Sequence, residues 1–553
     1  MIVNIKPSSP TFNLPIKLFA LIPVIIFFII GYYVLVFGHP NEDAFILFLY
    51  SENLANSGTI SYFQNGPAAE GATDFLWMLM ISFLYKLGLT TGISAVFLNS
   101  IGVYLTSYLL ILIARKYEAS NLVYLFIIIF VPISNLTIGS YGGFSVALYS
   151  ALIGIIIALT IWGNSKQLIY IPILGLILSL FRPDGVIIGV LSSLSIYYLI
   201  NKEDKKKYFL ILLASALIGF TYFIWRWNYF GEFLPLPLMV KSSTDTLLPG
   251  LNTNLKWLIK FDLFIFLGIS SVFLLKNKWK RLTSASIPIF IYFFSIIFVL
   301  QSQNFGWRFQ APIAILILIC SVVTLSSLSK MFIWKENSMS KILISIFTLL
   351  ISFQVIKHLN YLNIHLKWLT NNDYINFFPY HLGKNLNKET TIALTEAGRL
   401  AYWMPGKKYD LVGLNTVETA KNGSSLKFLK NLNPDLIMFH HVKTIPSIKC
   451  DENKFFCKIS PAKFSQIIKK DDTLQFLNKK NRIYNASAVV SKFLLENFED
   501  YNIYNVKYGG YYYHLYGVKK DGKINELLFR EALNKSFDPE MKHSYLKLKK
   551  RLF

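Results

Sequence analysis

Long apolar runs separated by short polar connections occupy the chain up to about residue 357. Eleven runs have the length of a membrane-spanning helix, at 16–37, 93–113, 121–138, 144–163, 167–181, 185–200, 208–226, 258–275, 283–301, 309–327 and 340–357. The two runs on either side of Phe-Arg-Pro-Asp-Gly at 181–185 are short, which predicts a tight hairpin. The first run lacks an evident small-residue cleavage site, so we interpret it as a retained helix.

The charges of the connections decide how we interpret the ambiguous apolar segment 74–89. If this segment does not cross, the basic residues of five successive connections all lie on the N-terminal side, namely Arg115/Lys116, Lys166, Lys202 with Lys205 to Lys207, Lys276/Lys278/Lys280/Arg281 and Lys330/Lys335/Lys341. That is the positive-inside distribution. We therefore expect a juxtamembrane or re-entrant helix at 74–89, about eleven crossings, a cytoplasmic N-terminus and a C-terminus on the opposite side.

The tail after residue 357 mixes polar and apolar residues as a folded α/β domain does. Thr-Ile-Ala-Leu at 391–394 and Pro-Asp-Leu-Ile-Met-Phe at 434–439 predict strands, with helical stretches between them. The predicted architecture is an α-helical multi-pass membrane domain over residues 1–357, with its first outer loop at 38–92. An extracytoplasmic α/β domain follows over residues 358–553.

Composition supports the membrane assignment and limits the other classes. The chain has 553 residues, of which 54% are hydrophobic and only 16% are charged, too apolar for a protein that is soluble throughout. The net charge of +24 comes mostly from lysines in a chain also rich in Ile, Asn and Phe, so we do not infer a nucleic-acid partner. Three cysteines exclude a disulfide scaffold and most zinc modules.

Two adjacent acids, Glu42 and Asp43, directly follow the first predicted helix. The apolar segment 44–50 has the pattern of an interfacial helix, which places both acids at the edge of the bilayer. Partial desolvation there makes a carboxylate more basic and suits it to proton abstraction. The two acids also offer oxygen ligands for a divalent cation such as Mg²⁺, Mn²⁺ or Ca²⁺. The alternative is a pair of solvated loop carboxylates.

Arginines supply a second indication of a site. Arg182, Arg226 and Arg308 lie at predicted outer ends of helices, where the positive-inside rule does not place them. A guanidinium group can bind a phosphate through two parallel hydrogen bonds. With Lys241, at the end of an apolar, Pro-rich loop, they predict a site for an anionic ligand that carries a lipid tail. The alternative for each arginine is an ion pair with a nearby acid, such as Asp184 for Arg182.

Three further features are weaker. Cys450 and Cys457 have six residues between them in a domain expected in an oxidising compartment, which predicts a local disulfide. The adjacent His440 and His441 lack further ligands in the sequence, so we expect them to be structural. The sequence contains no evident Gly-rich nucleotide loop, so it gives no sign of ATP or a nucleotide sugar as substrate.

Several short motifs follow one another in a fixed order along most of the chain. They are Glu-Asp-Ala-Phe-Ile at 42–46, Asn-Leu-Ala at 53–55, Gly58, Glu-Gly-Ala-Thr-Asp-Phe-Leu-Trp at 70–77, Arg-Pro-Asp-Gly at 182–185, the loop 226–241, Gly-Trp-Arg-Phe at 306–309, and the segment 392–414 with Glu-Ala-Gly at 396–398 and Asp-Leu-Val-Gly-Leu at 410–414. Together they resemble the GT-C glycosyltransferases, closest to the branch that contains the bacterial cell-wall arabinofuranosyltransferases. The chain departs from that branch at Gly-Gly-Phe-Ser, 142–145, where an acid is common, and at Asp74, where a small or amide residue is commoner.

The resemblance implies transfer of a sugar, for this branch a pentofuranose such as arabinofuranose, from a polyprenyl-phosphate donor with inversion. The reaction would take place on the outer face of the bacterial inner membrane. Asp43 would be the general base, with Glu42 as its neighbour, metal ligand or substitute base. Glu70, Trp77 and Tyr141 would contact the sugar or the acceptor. The groups that would stabilise the leaving phosphate are Arg182, Arg226, Lys241 and Arg308.

The acceptor and the metal dependence stay open at this point. A cell-surface polysaccharide, a lipid-linked glycan and a secreted protein such as a pilin are all compatible acceptors. Two other functions also compete: a transporter or flippase of a lipid-linked glycan, and a membrane-anchored binding protein whose tail is the active part. A transporter would carry charges deep within several helices, whereas here they concentrate at the outer rim, which favours surface chemistry.

Overall fold

A computed structural model of the chain describes residues 16–241, 247–301, 303–334, 338–371, 373–442, 450, 455–508 and 512–538. The helices of the first part are α1 (Ile16–Phe19), α2 (Leu21–Phe37), α3 (Glu42–Ser57), α4 (Phe75–Lys86), α5 (Thr91–Lys116), α6 (Asn121–Ile133), α7 (Ile138–Tyr141), α8 (Val146–Trp162), α9 (Ser165–Leu168), α10 (Ile171–Phe181), α11 (Gly185–Ser195), α12 (Lys205–Phe230), α13 (Leu236–Lys241), α14 (Leu251–Lys260), α15 (Asp262–Leu274), α16 (Trp279–Ser295), α17 (Ala311–Trp334) and α18 (Ser338–Leu369).

Within the described residues, five helical segments are long and apolar enough to cross a membrane, which indicates a membrane protein. They are Lys17–Phe37, Thr91–Lys116, Lys202–Phe230, Lys276–Phe298 and Phe305–Lys330. Helices α14 and α15, bent by 79°, make a sixth if they are counted together. Other predicted crossings form shorter apolar helices such as α6, α10 and α11, which at 1.5 Å per residue do not reach the ~30 Å of a bilayer core. Eleven crossings therefore stay a prediction.

Three shorter predictions about the membrane part have counterparts in the structure. The hairpin expected around 181–185 is formed by α10 and α11. These two helices pack so closely at Gly175 that a side chain there would collide with the Gly189 backbone. The segment 74–89 contains α4, a helix of 12 residues. The interfacial helix expected at 44–50 is part of the longer helix α3.

The tail is a mixed sheet covered by short helices, which confirms the predicted α/β class. Its elements are β1 (Thr391–Leu394), β2 (Lys407–Asp410), β3 (Leu436–His440), β4 (Phe456–Ile459), β5 (Tyr501–Tyr508) and β6 (Tyr512–Lys519), with α19 (Phe378–Gly383), α20 (Arg399–Trp403), α21 (Val417–Asn422), α22 (Leu426–Leu432), α23 (Pro461–Lys470), α24 (Arg482–Glu496) and α25 (Glu526–Phe537). The strand order is β2-β1-β3-β6-β5-β4. Strand β1 runs parallel to β2 and β3, and the other pairs are antiparallel.

The tail packs against the first loop. The backbone N–H of His39 donates to the Leu369 carbonyl at 2.9 Å, and the Tyr62 hydroxyl donates to the Ala397 carbonyl at 2.6 Å. The boundary predicted between residues 357 and 358 lies inside α18, which runs on to Leu369, and the division into two domains stays a prediction. These hydrogen bonds place the tail and the first loop at the same end of the helices.

Candidate functional site

A cavity of about 430 Å³ lies where the first loop, the 182–185 turn, α13 and the turn Phe305–Gln310 meet. The charged and hydroxyl-bearing side chains that line it include Asp43, Asp74, Arg182, Asp184, Lys241, Tyr292 and Arg308. Three of the four cations predicted to bind phosphate thus share one cavity with the predicted base, Asp43. The three acids and three cations of this set balance in formal charge.

Asp43 and Arg308 form the central ion pair of the cavity. Asp43 lies in the first turn of α3, whose N-cap Asn41 accepts a hydrogen bond from the Asp43 backbone N–H at 3.2 Å. Its Oδ2 lies 3.1 Å from Nη2 of Arg308. The Arg308 guanidinium also lies 3.7 Å from the ring centroid of Phe144. Its Nε is buried without a hydrogen-bond partner among the described residues, which leaves one donor for a ligand.

The turn before Arg308 explains how the chain places this side chain. Gly306 and Trp307 have positive φ angles of 64° and 53°, in the left-handed region. A side chain at Gly306 would lie 2.8 Å from the Gly139 backbone nitrogen, so only glycine fits there. The Trp307 ring stacks on Tyr361 at 4.6 Å, which helps to hold the unusual backbone. The Gly-Trp-Arg sequence thus fixes where Arg308 enters the cavity.

Arg182 is held by a local acid. Its Nε and Nη2 donate to the two carboxylate oxygens of Asp184 at 2.9 and 3.1 Å. The Tyr292 hydroxyl also donates to Asp184, at 3.0 Å. The guanidinium lies over the rings of Tyr149 and Phe309. The pair that the sequence offered as the alternative for Arg182 is therefore present, and it lies in the cavity wall.

The two departures from the resembled branch are neighbours in space. The carboxylate of Asp74 accepts a hydrogen bond from the Ser145 hydroxyl at 3.2 Å. Asp74 thus places an acid beside the 142–145 segment, which lacks one in its own sequence. Burial raises the pKa of Asp74, although Arg182 acts in the opposite direction.

Lys241 ends α13 and faces the same charges. Burial lowers the pKa of its ammonium group, although Asp43 and Asp74 act in the opposite direction. Arg182 and Arg308 lower the pKa of Lys241 further. A bound anion would relieve this repulsion among the three cations.

Arg226 and Glu70 form a separate buried pair. Nε of Arg226 lies 2.8 Å from both carboxylate oxygens of Glu70, and Nη1 donates to the Phe233 carbonyl at 2.9 Å. Burial raises the pKa of Glu70, with Arg226 opposing the shift. Neither residue is among the described residues that line the cavity. We infer that this pair anchors the loop after α12, apart from the cations that line the cavity.

The two predicted aromatic contacts occupy different places. Trp77 lines the cavity, and its buried Nε1 makes no hydrogen bond within the described part of the chain. The Tyr141 hydroxyl donates to the Pro132 carbonyl at 2.7 Å, and its ring stacks on Phe27 at 4.8 Å. Tyr141 is not among the described lining residues, so Trp77 alone of the two is placed to contact a ligand.

Glu42 points away from Asp43 and toward the tail. Its carboxylate accepts hydrogen bonds from the backbone N–H groups of Gly398, at 2.5 Å, and Arg399, at 3.0 Å. Its carboxylate also interacts electrostatically with that of Glu396. A side chain at Gly398 would collide with the Glu42 backbone, so glycine is required for this approach. Burial raises the pKa of Glu42, and Arg399 acts in the opposite direction.

A group in the tail that could hold a metal ion consists of Glu396, His440 and His514. One ligand atom from each lies within 4.8 Å of the others. The group does not include Glu42 or Asp43, where the sequence placed a metal. Nε2 of His441, expected like His440 to be structural, lies 3.3 Å from Oδ2 of Asp471.

The partner of His440 could not be found from the sequence because it is set by strand pairing. His440 on β3 and His514 on β6 are direct partners in the antiparallel register.

Cys450 and Cys457 form a disulfide, as the sequence predicted.

One comparison with known proteins concerns the tail alone. Residues 374–515 are similar to a family described as "Domain of unknown function (DUF8728)". The matched segment contains Glu396, His440 and His514 but none of the cavity residues on the first loop, α13 or the 305–310 turn. A search of the curated proteins finds no match to the chain.

Proposed function

We propose that this protein transfers a sugar, a pentofuranose such as arabinofuranose, from a polyprenyl-phosphate donor to an acceptor with inversion. The reaction takes place at the outer face of the bacterial inner membrane. The observation that carries the proposal is the Asp43–Arg308 pair, 3.1 Å apart in a cavity shared with Arg182 and Lys241. A base and a set of phosphate-binding cations are the two parts that this reaction needs.

The cavity suits a phosphate that carries a lipid tail. Arg308 offers a buried Nε donor without a partner among the described residues, and Arg182 and Lys241 line the same cavity. Many of the other lining residues are apolar. Leu238 and Val299 line the cavity and are also 47% and 38% exposed, so an isoprenoid chain could leave over them into the bilayer.

The chemistry requires one proton acceptor and charge stabilisation. The acceptor hydroxyl attacks the anomeric carbon, its proton passes to the Asp43 carboxylate, and the bond from the anomeric carbon to the phosphate oxygen breaks. Polyprenyl phosphate leaves with the electron pair, and Arg308 and Lys241 stabilise the added negative charge. When Arg308 turns to the phosphate, it releases Asp43 for the acceptor. Attack opposite the leaving group inverts the anomeric carbon.

The sugar and the acceptor would meet groups from both parts of the chain. Asp74 and Trp77 lie in the cavity beside Asp43 and are placed to contact the sugar. Leu414 of the tail also lines the cavity, so in this proposal the tail helps to form the acceptor side of the site. A cell-surface polysaccharide, a lipid-linked glycan or a secreted protein such as a pilin would be presented from this side.

A transfer assay tests the proposal. Purified protein in lipid nanodiscs is given polyprenyl-phosphate arabinofuranose labelled in the sugar, together with cell-envelope material as the source of acceptor. We expect the label to move to the acceptor fraction and unlabelled polyprenyl phosphate to accumulate. If the intact donor crosses the bilayer of proteoliposomes without cleavage, the protein is a flippase, and the proposal is wrong.

The lowered pKa of Lys241 predicts how donor binding depends on pH. A lysine is cationic below its pKa, so Lys241 loses its charge at a lower pH than an ordinary lysine does. The KM for the donor should therefore rise from neutral to alkaline pH. In Lys241→Arg this rise should disappear, because arginine stays protonated.

Lys357→Arg is the control for this prediction, since Lys357 pairs with Asp262 outside the cavity. It should keep the pH dependence of the wild-type protein. An unchanged alkaline rise in Lys241→Arg would remove Lys241 from donor binding.

A further inference from the structure

We propose that Glu396, His440 and His514 bind one zinc-type divalent cation, and that this ion fixes the tail to the start of α3 through Glu42. The inference goes beyond the proposed function, because it concerns a metal centre in the tail and does not depend on what the cavity binds. It differs in place and in ion from the Mg²⁺, Mn²⁺ or Ca²⁺ expected at Glu42 and Asp43.

The two imidazoles are oriented as metal ligands are. Nδ1 of His440 is hydrogen-bonded to the Thr395 hydroxyl at 2.8 Å, and Nδ1 of His514 to the Tyr374 hydroxyl at 2.7 Å. Metal-binding histidines usually engage their second nitrogen in this way, which sets the tautomer and the ring orientation. Both Nε2 atoms are thereby directed toward Glu396.

The distances lie close to those of a filled site. Nε2 of His440 and Nε2 of His514 lie 3.8 and 3.7 Å from Oε2 of Glu396. These separations are too long for hydrogen bonds, and Nε2 of His514 is fully buried without a hydrogen-bond partner among the described residues. Zinc–ligand bonds of about 2.0–2.1 Å in tetrahedral geometry would put ligand atoms roughly 3.3 Å apart. Small side-chain shifts would therefore complete the site.

The donor set selects the class of metal. Two imidazole nitrogens and one carboxylate oxygen form a known zinc ligand set, with a fourth position left for water. Mg²⁺ and Ca²⁺ prefer six or more oxygen ligands and fit this group poorly. The His440 side chain is 33% exposed, which provides a route for the ion and for a water ligand.

The charges around the group favour a divalent cation. Glu396 interacts with the carboxylates of Glu42 and Asp373 and with one cation, Arg399. If all three acids are ionised, these four groups carry a net charge of minus two at a buried position, which is costly without a counter-ion.

The metal would connect the tail to the first loop. Glu396 lies two residues before Gly398 in the chain, and Glu42 accepts hydrogen bonds from the backbone N–H groups of Gly398 and Arg399. Glu42 immediately precedes Asp43 at the start of α3. An ion bound to Glu396 would therefore hold the segment 396–399, and through its two backbone N–H groups the first turn of α3 and the position of Asp43.

Metal analysis of the purified full-length protein tests this inference. We expect about one zinc per chain by mass spectrometry, and after chelation we expect Zn²⁺, but not Mg²⁺ or Ca²⁺, to raise the midpoint of thermal unfolding. Thr395→Val keeps all three ligands but removes the hydroxyl beside His440, so zinc affinity should fall by ~10–100-fold. His440→Gln should abolish zinc binding.

His381→Gln is the matched control, since His381 lies in α19 of the same domain and outside the group. It should retain the zinc of the wild-type protein. Wild-type protein that binds no zinc after metal re-addition would overturn the inference, whether or not the variants fold. Folded His440→Gln protein that binds zinc as tightly as the wild type would also overturn it.

Discussion

Replacing Asp43 with asparagine should lower the rate of sugar transfer by ~10²–10⁴-fold, the usual contribution of a general base. The amide has nearly the same size as the carboxylate, and its oxygen can still accept a hydrogen bond from Arg308. It cannot take up the proton of the acceptor hydroxyl. The loss should therefore appear in kcat, with the KM for the donor little changed, in the transfer assay with purified protein.

Asp262→Asn is the matched control for this substitution. Asp262 lies at the start of α15 and pairs with Lys357 at 3.3 Å, outside the cavity. The same acid-to-amide change there should leave transfer unaffected. Full activity in Asp43→Asn would remove Asp43 from the mechanism, and a loss of folded protein in that variant would show a structural role instead.

The second large effect is expected on stability. Arg226→Met should destabilise the protein by about 3–5 kcal/mol, because it leaves a buried carboxylate without its partner. Arg226 and Glu70 are both buried, and their shortest contact, from Nη2 to Oε2, is 2.6 Å. The measurement is the midpoint of thermal unfolding in detergent. The double variant Glu70→Gln/Arg226→Met should recover part of the loss, since the unpaired charge is then gone.

An exposed ion pair provides the control. Lys430 lies 3.0 Å from Glu496 on the surface of the tail, so Lys430→Met should change the midpoint little. The folded fraction of Arg226→Met should bind the donor as the wild-type protein does. If this variant is as stable as wild type but loses donor binding, Arg226 has the phosphate-binding role that the sequence suggested.

Much of the fold could be predicted from the sequence because it depends on local patterns. Apolar runs located the helical segments, and the strand expected at 391–394 is β1 with the same bounds. The number of crossings is harder to predict, since an apolar run does not reveal where its helix ends. The run 121–138, for example, forms the helix Asn121–Ile133, with the Pro132 ring in its last turn.

The candidate site depends on contacts between distant residues. Arg182 and Asp184 are two positions apart, and their pairing could be anticipated, but Arg226 and Glu70 are 156 positions apart, and Arg308 and Asp43 are 265 apart. Nothing in the local sequence specifies such partners. The different directions of Glu42 and Asp43 follow from the rotation of ~100° between successive helical residues, once α3 is known to begin at Glu42.

The position of the phosphate of a bound polyprenyl monophosphate tests the account most directly. The measurement is an experimental structure of the protein in nanodiscs with this lipid, which is the product of the proposed reaction. We predict that the phosphate contacts Arg308 and lies beside Arg182 and Lys241, with the isoprenoid chain leaving past Leu238. A phosphate bound elsewhere, with the Asp43–Arg308 pair intact and the cavity empty at saturating lipid, would contradict the account.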